Sequence, residues 1–202
     1  METTQPETQV QPEPVAEQPT NWKRFVLDIL ETLVLAVVLY FGINAVSARV
    51  RVDGFSMRPT LQDGEYILVN KLAYKTGAPV RGDIVVFIFP VNPAEDLIKR
   101  VIGLPGESVS IHNGVVTVNE LTLAEPYIAS PPAYDGDWIV PDGQLFVLGD
   151  NRNDSRDSHQ WGLLPIENVI GRAVLIYWPP EEWQLINHDI RGIAAQEAWS
   201  MK

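Results

Sequence analysis

The sequence of 202 residues contains no cysteine. Disulfide bonds, thiolate metal sites and a cysteine nucleophile are therefore excluded. Positive charge is also scarce, because 15 Lys and Arg residues stand against 26 Asp and Glu residues, for a formal net charge of −11. A nucleic-acid partner would require a basic face for the phosphates, so the composition argues against nucleic-acid binding. The redox compartment stays open, because a cysteine-free chain tolerates either environment.

Residues 1–20 have almost no large apolar side chains and are rich in Pro, Gln, Glu and Thr. Such a stretch cannot bury enough apolar surface to offset the entropy of ordering. We therefore expect a disordered acidic tail over 1–20. In the chain as a whole the hydrophobic fraction of 46% supports a packed core, and the 16 prolines and 14 glycines favour a turn-rich β architecture over a helical bundle.

A long apolar segment follows the tail. No residue from Leu33 to Ala48 is charged, and a run that also includes Asp28 and Glu31 gives about 36 Å of helix, against a hydrocarbon core of ~30 Å. Both acids then lie in the first turns, where the membrane interface and the positive end of the helix dipole lower their cost. We therefore predict a transmembrane anchor over 21–48. A buried core helix is one alternative, and a cleavable signal peptide, suggested by the small residues at 45–48, is another.

The pattern after the anchor is typical of a β domain, which we expect over 49–184. Short apolar runs bounded by turn residues predict its strands. The predicted strands are Tyr66–Val69, Ile84–Phe89, Ser108–Ile111, Val115–Val118, Leu145–Leu148 and Val169–Trp178. The dipeptide Asn113-Gly114 predicts a tight hairpin between two of them, and Ser130–Asp137 reads as a loop. A C-terminal tail over 185–202 has a spacing compatible with a short helix.

Ser56 is the first candidate for chemistry, in the segment Gly54–Leu61. A serine hydroxyl is a weak nucleophile until a base removes its proton. Gly54 allows close approach of the backbone, while Met57 and Leu61 supply apolar surface beside the hydroxyl. Taken alone the segment is weak, because most serines near a glycine are turn residues.

Lys99 is the second candidate, because it lies between the apolar pairs Leu97-Ile98 and Val101-Ile102. In a strand, alternation would put Lys99 and Val101 on one face and Arg100 on the other. A lysine that faces an apolar interior loses solvation of its ammonium form, so its pKa falls and the neutral amine becomes a competent base. The alternative is a lysine that extends to the solvent, as most lysines do.

The segment Gly149–Gly162 follows an apolar run and is dense in hydrogen-bonding groups. A buried lysine base requires a hydroxyl or carbonyl to orient it, and Ser155 or Ser158 could do so. Asp150 and Asp157 could form ion pairs with arginines. The candidate arginines are Arg100, Arg152 and Arg156. A calcium loop of the EF-hand kind is excluded, because no glycine or glutamate falls where that loop requires one.

Four segments, taken in order, resemble the type I signal peptidases, which are membrane-bound serine proteases that remove signal peptides from exported proteins. The four are Asp53–Leu61, Arg81–Phe87, Ile98–Glu107 and Gly149–Gly162. Four segments in order at compatible spacing are highly specific. The resemblance extends from the anchor to about Trp178. It implies a mostly β fold, with a catalytic β domain and a smaller β insertion over about 108–142, preceded by one N-terminal transmembrane helix.

The resemblance also implies roles for particular residues. Ser56 would be the nucleophile, Lys99 the general base and Ser155 the hydroxyl that orients the amine. Ion pairs that fix the last segment would involve Asp150 with Arg100, and also Asp157. No metal or organic cofactor is implied.

Two positions depart from the family pattern. The backbone N–H of Ser56 would be one oxyanion donor, but Gly54 stands where some members have a serine that supplies the second, so a backbone group must serve there. His159 stands where many members have arginine. It also raises an alternative, a triad of Ser56, His159 and Asp157, which the four segments oppose.

The implied substrate is an extended peptide, the signal peptide of a preprotein, laid against strand edges. Shallow pockets would accept small residues such as alanine at the cleavage site. The pocket residues would be Val52, Met57, Leu61, Leu97 and Ile98. The implied location is the cell membrane, with a single pass through the lipid bilayer, the tail in the cytoplasm and the catalytic domain on the extracytoplasmic side.

Two other hypotheses belong to different classes. One is a self-cleaving, repressor-like protease with a Ser/Lys pair, which the anchor and the lack of DNA-binding helices oppose. The other is a non-catalytic, membrane-tethered assembly factor on the same scaffold, which the presence of both Ser56 and Lys99 opposes.

Overall fold

The computed structural model describes residues 22–75 and 77–188. The predictions for the tail over 1–20 and for a short C-terminal helix therefore lie outside the described residues. The helices are α1 (Trp22–Val46) and α2 (Ser158–Trp161), with 3-10 turns at Ile166–Asn168 and Pro180–Glu182. The strands are β1 (Ser47–Arg51), β2 (Tyr66–Asn70), β3 (Ile84–Ile88), β4 (Asp96–Gly103), β5 (Ser108–His112), β6 (Val115–Val118), β7 (Leu121–Thr122), β8 (Gly136–Ile139), β9 (Gln144–Leu148), β10 (Leu164–Pro165), β11 (Val169–Trp178) and β12 (Gln184–Leu185).

Helix α1 is the apolar segment that the sequence singled out. Its 25 residues rise about 37 Å at ~1.5 Å each, and none of them is buried. By length and composition the helix could cross a membrane. The chain divides into two compact units between Phe41 and Gly42, so most of α1 forms a unit of its own.

A large antiparallel sheet forms the centre of the second unit. Its strand order is β1-β2-β11-β3-β4-β9-β10, and β12 pairs with β11. In β3 the residues from Ile84 to Phe87 are all buried, as the unbroken apolar run predicted, because β3 lies between β11 and β4 and has both faces covered. In β2, buried Ile67 and Val69 alternate with more exposed neighbours, which is the pattern of a strand with one face in the core.

A smaller sheet has the order β7-β6-β5-β8 and takes its strands from residues 108–139. Asn113 and Gly114 join β5 to β6, and both have positive φ, 50° and 78°. A two-residue hairpin turn of this kind requires positive φ at both positions, which explains why this dipeptide predicts it. Strand β8 begins at Gly136, so the last two residues of the predicted loop Ser130–Asp137 are in a strand, paired with β5. The prediction of a mostly β fold is confirmed.

Strand β1 begins earlier than the sequence indicated. Ser47 and Ala48 belong to β1, where they pair with Asn70 and Val69 of β2. The small residues at 45–48 that resemble a signal-peptide cleavage site are thus divided between the end of α1 and a paired strand. A peptide that adds to a sheet edge has free backbone groups, whereas the backbone of Ser47 and Ala48 is paired with β2.

Candidate active site

Ser56 lies in a turn after β1 that is held at both ends. Gly54 has φ of 97°, a conformation that a side chain would strain, and its N–H donates to Asp63 Oδ1 at 2.7 Å. On the other side, the Asn151 backbone N–H donates to the Ser56 carbonyl at 3.0 Å, and its side-chain amide donates to the Phe55 carbonyl at 3.1 Å. The segment after β9 therefore fixes the backbone on which the Ser56 hydroxyl stands.

Lys99 is on β4 with its amine directed at Ser56. Lys99 Nζ lies 2.8 Å from Ser56 Oγ and 2.9 Å from the carbonyl oxygen of Ile98. The side chain is 2% exposed, so the prediction that this lysine faces the interior and not the solvent describes the structure correctly. Burial lowers the pKa of Lys99 to about 8, while the negative charges of Asp157 and Asp150 oppose that shift. The amine is therefore neutral in a large fraction of molecules at mildly alkaline pH.

Arg100, the next residue of β4, points to the opposite side and forms a buried ion pair. Its Nε and Nη2 donate to the two carboxylate oxygens of Asp150 at 2.8 and 2.6 Å, and both side chains are at most 1% exposed. Thr60 Oγ1 also donates to Asp150 Oδ2, at 2.5 Å. Arg100 is on β4, Asp150 is in the segment after β9, and Thr60 follows the turn that carries Ser56. The hydrogen bonds that Asp150 accepts therefore connect these three parts of the chain.

We expect Asp150→Asn to lower the free energy of unfolding by about 3–5 kcal/mol, because it leaves the buried Arg100 guanidinium without a counter-charge. Urea unfolding followed by tryptophan fluorescence would measure the change. Asp137→Asn is the matched control, since Asp137 pairs with His112 at the exposed surface of the smaller sheet. If Asp150→Asn and Asp137→Asn had the same free energy of unfolding, the pair of Arg100 and Asp150 would not stabilise the fold.

Asp157 is the other predicted carboxylate of this segment, and it is completely buried. Its Oδ2 accepts the Gly149 N–H at 2.9 Å, and its Oδ1 lies 2.6 Å from Nδ1 of His159. Position 149 admits no side chain, because a Cβ there would collide with Ser155 Oγ and with the Ser56 carbonyl. Asp157 thus fixes the point where the segment approaches the back of Ser56.

Ser155, predicted to orient the lysine, is buried near the same point. Its Oγ has no hydrogen-bond partner among the described residues, so no bond joins it to Lys99. The other serine considered for this role, Ser158, accepts the Val147 N–H at 3.0 Å and is committed to anchoring α2 on β9. Of these two serines, Ser155 is therefore the one whose hydroxyl has no hydrogen bond to another described residue.

Of the two contacts that a triad of Ser56, His159 and Asp157 requires, the described residues form only the one between His159 and Asp157. His159 lies against Asp157, as a triad requires, but its ring stacks on Tyr134 with centroids 3.8 Å apart, and no contact joins it to Ser56 in the described part of the chain. The group that contacts the Ser56 hydroxyl is Lys99.

A small groove of about 90 Å³ opens beside the Ser56 hydroxyl, between Val50–Asp53 and Asp96–Lys99. Each wall of the groove includes a strand with one unpaired edge among the described residues. Strand β1 is the first strand of its sheet and pairs only with β2. The first half of β4 pairs only with β3, because the pairing of β4 with β9 begins at Arg100. Four of the predicted pocket residues line this groove, namely Val52, Met57, Leu97 and Ile98.

Leu61 does not line the groove, contrary to the sequence-based expectation. Its side chain is fully buried in the core cluster that also contains Met57 and Ile67. Gly54 also differs from the expectation of a free backbone donor, since its N–H is already bound by Asp63.

The sequence does not predict the partners of two arginines. Arg152 forms a two-point ion pair with Glu125 at 2.5 and 2.7 Å, and Arg156 contacts Glu95. Arg100 lies 4.1 Å above the ring of Tyr127. Glu125 and Tyr127 come from the segment before β8, far from these arginines in sequence, and no spacing pattern links them. Within residues 22–75 and 77–188, no group of three or more His, Asp or Glu side chains could hold a metal ion.

Comparison with known proteins gives a consistent set of relatives. The sequence profile of the family described as signal peptidase, peptidase S26, matches residues 24–178. A signal peptidase I from Leptolyngbya laminosa is 44% identical over 188 residues, which are 88% of this chain and 92% of that protein. A probable signal peptidase I-2 from Synechocystis sp. is 43% identical over 187 residues, covering 86% of this chain and 84% of that protein. Among solved structures, a signal peptidase I from Enterococcus faecalis V583 is 34% identical with a TM-score of 0.44, over 46% of this chain and 95% of that one.

Proposed function

Because the chain belongs to the signal peptidase I family, whose members cleave signal peptides from preproteins, we propose that it is a membrane-anchored endopeptidase with Ser56 as nucleophile and Lys99 as general base. The observation that carries the assignment is the distance of 2.8 Å between Lys99 Nζ and Ser56 Oγ, with the lysine almost completely buried. A nucleophile within hydrogen-bond reach of a base that burial has made easier to deprotonate is the arrangement that covalent catalysis requires.

In the proposed reaction the neutral Lys99 amine accepts the Ser56 hydroxyl proton while Oγ attacks the scissile carbonyl carbon. The lysine then gives this proton to the leaving amide nitrogen as the C–N bond breaks, which leaves the signal peptide esterified to Ser56. A water molecule then gives a proton to the same amine and attacks the ester. When the C–O bond breaks, the proton returns to Ser56 Oγ and the lysine is neutral again.

The oxyanion of the tetrahedral intermediate would be bound first by the Ser56 N–H, which donates to no other group among the described residues. Gly54 was expected to give the second donor, but its N–H would first have to leave Asp63. We assign to Gly54 instead the positive φ that lets the turn present Ser56. The second donor is then a group that comes within reach when the substrate binds.

Ser155 is proposed to hold the amine in position. The Ser56 hydroxyl and the Ile98 carbonyl occupy two of the three donor positions of the Lys99 ammonium. Ser155 is suited to occupy the third position, because its buried hydroxyl has no partner among the described residues and lies near the Ser56 backbone.

The substrate would be an extended segment placed between the edges of β1 and β4, with its backbone bonded to both. The groove is small and is lined by Val52, Met57 and Ile98, so side chains of the size of alanine fit it best. Specificity for Ala-x-Ala at the cleavage site follows from that size, because larger side chains would meet the packed core beneath Met57.

Helix α1 would anchor the enzyme in the bilayer, with the catalytic domain on the extracytoplasmic side and the N-terminal tail in the cytoplasm. This sidedness rests on where signal peptides emerge, because the flanking charges are balanced. The flanking basic residues are Lys23 and Arg24 at one end, and Arg49 and Arg51 at the other.

The full chain in detergent, incubated with a precursor that carries an Ala-x-Ala site, tests the proposal. We expect one cut immediately after the second alanine, identified by N-terminal sequencing of the product. The matched precursor with phenylalanine in place of that alanine should stay intact. Cleavage of both precursors, or of neither, would contradict the proposed specificity or the proposed activity.

We expect kcat/KM to rise with pH through a midpoint near pH 8 and to level off about one pH unit higher, because the pKa of buried Lys99 is lowered to about 8 and only the deprotonated amine is a base. Below that pKa the rate should fall about tenfold per pH unit. A profile measured from pH 6 to 10 checks this. A profile that is bell-shaped around pH 6 would point to a different base.

A further inference from the structure

His159 is connected to the reaction centre through one buried carboxylate. Its Nδ1 lies 2.6 Å from Asp157 Oδ1, and the other oxygen of that carboxylate accepts the Gly149 N–H at 2.9 Å. Gly149 in turn abuts Ser155 and the Ser56 carbonyl. The imidazole is thus two hydrogen bonds from the backbone that supports the nucleophile.

The imidazole of His159 is also held by Tyr134, which precedes strand β8 of the smaller sheet. Its ring is stacked on Tyr134 at 3.8 Å with an interplanar angle of 10°, and its side chain is only 15% exposed. Tyr134 is in the segment before β8, so a residue of the predicted insertion fixes the orientation of a ring at the catalytic segment. A ring fixed in this way can present Nδ1 to only one acceptor.

Among the charged groups near Lys99, Asp157 stabilises the protonated amine most strongly. Its carboxylate raises the pKa of the lysine, against the larger lowering effect of burial. The other charged groups that face Lys99 are Asp150 and Arg156, and those around Tyr134 are Arg152 and Glu125. Whatever stabilises or neutralises the Asp157 carboxylate therefore changes how tightly Lys99 holds its proton.

We propose that His159 is a positioning residue that holds the Asp157 carboxylate in place and thereby sets the basicity of Lys99. The inference rests on the proposed roles of Ser56 and Lys99. An arginine at this position would bring a permanent positive charge beside the Asp157 carboxylate, whereas an alanine would bring no donor from its side chain.

Substitutions at His159 should move the acid limb of the kcat/KM profile in both directions. In His159→Arg the added charge offsets Asp157, so the midpoint moves to lower pH. In His159→Ala the carboxylate loses the imidazole donor and keeps only the backbone N–H groups of Gly149 and of residue 159, so the midpoint moves to higher pH. His159→Asn should restore the wild-type midpoint, because its amide N–H can stand where Nδ1 does. We expect the arginine and alanine variants to differ by about one pH unit, which is about tenfold in rate on the limb.

The control and the readout separate this proposal from a structural role. His112→Ala removes the other His–Asp pair, 3.1 Å from Asp137 on the exposed face of the smaller sheet, and should leave the profile unchanged. On the alkaline plateau the rate of His112→Ala should agree with that of the wild type within about twofold. The lysine should also be titrated directly by NMR in each, so that the proposal is tested apart from activity.

An order of midpoints other than Arg below His below Ala, or midpoints that coincide, would overturn the role of His159 while leaving the Ser56 and Lys99 assignment intact. If Lys99 were not the general base, the result would differ, because variants of Lys99 would then remain active. If His159→Arg does not fold, the Ala and Asn variants still decide the outcome, since their midpoints must differ.

Discussion

Replacing Ser56 with alanine is expected to abolish cleavage of the Ala-x-Ala precursor, with a fall in kcat of at least about 10⁴-fold. The substitution removes the oxygen that would form the ester, and Lys99 has no other hydroxyl bonded to its amine. Peptide release measured by mass spectrometry over long incubations would give the residual rate.

The fold should survive this change. The Ser56 hydroxyl contributes only its bond to Lys99, while the backbone of the turn stays tied to Asn151 and Asp63. The urea midpoint should therefore match that of the wild type. A Ser56→Ala enzyme that keeps more than a few per cent of its activity would exclude Ser56 as nucleophile, because a folded but active variant leaves no role for this oxygen.

Lys99→Arg is expected to be as inactive as the serine variant. A guanidinium keeps its proton at any workable pH, so it cannot accept the hydroxyl proton. A loss of about 10⁴-fold or more in kcat is expected across the whole range from pH 6 to 10, without the rise near pH 8 that the wild type should show. Rates measured at saturating substrate separate this loss from weaker binding.

The matched control is Lys75→Arg, which makes the same replacement at an exposed position. Its activity should equal that of the wild type. The decisive comparison is with His159→Ala: an active Lys99→Arg enzyme together with an inactive His159→Ala enzyme would reverse the assignment in favour of the triad. The stacking of His159 on Tyr134, away from Ser56, is the structural reason to expect the opposite.

The sequence predicted those parts of the fold that depend on local signals. The hairpin at Asn113 and Gly114 requires positive φ at both positions, which those two residues adopt readily, and the unbroken run of β3 reflects burial on both faces. The candidate pair Ser56 and Lys99 was identified because each lies in a dense motif of its own. Their contact in space is a property of the fold that neither motif contains.

What the sequence did not predict depends on partners distant in the chain. Glu125 as the partner of Arg152 and Asp63 as the partner of the Gly54 N–H follow from packing between segments, for which spacing gives no signal. Leu61 was expected beside the nucleophile and lies in the hydrophobic core, because the direction of a side chain after a turn depends on the turn geometry. The start of β1 at Ser47 likewise depends on pairing with β2.

Direct titration of the Lys99 amine in the active enzyme tests the central claim most directly. In the full chain with isotope-labelled lysine, the Cε resonance of Lys99, assigned by its absence from Lys99→Arg, would be followed by NMR from pH 6 to 10 beside the kcat/KM profile of the same preparation. We predict one transition near pH 8, at the midpoint of the activity profile, because burial lowers the pKa of this lysine to about 8. A Lys99 amine that stays protonated at a pH where the enzyme is fully active would contradict the account.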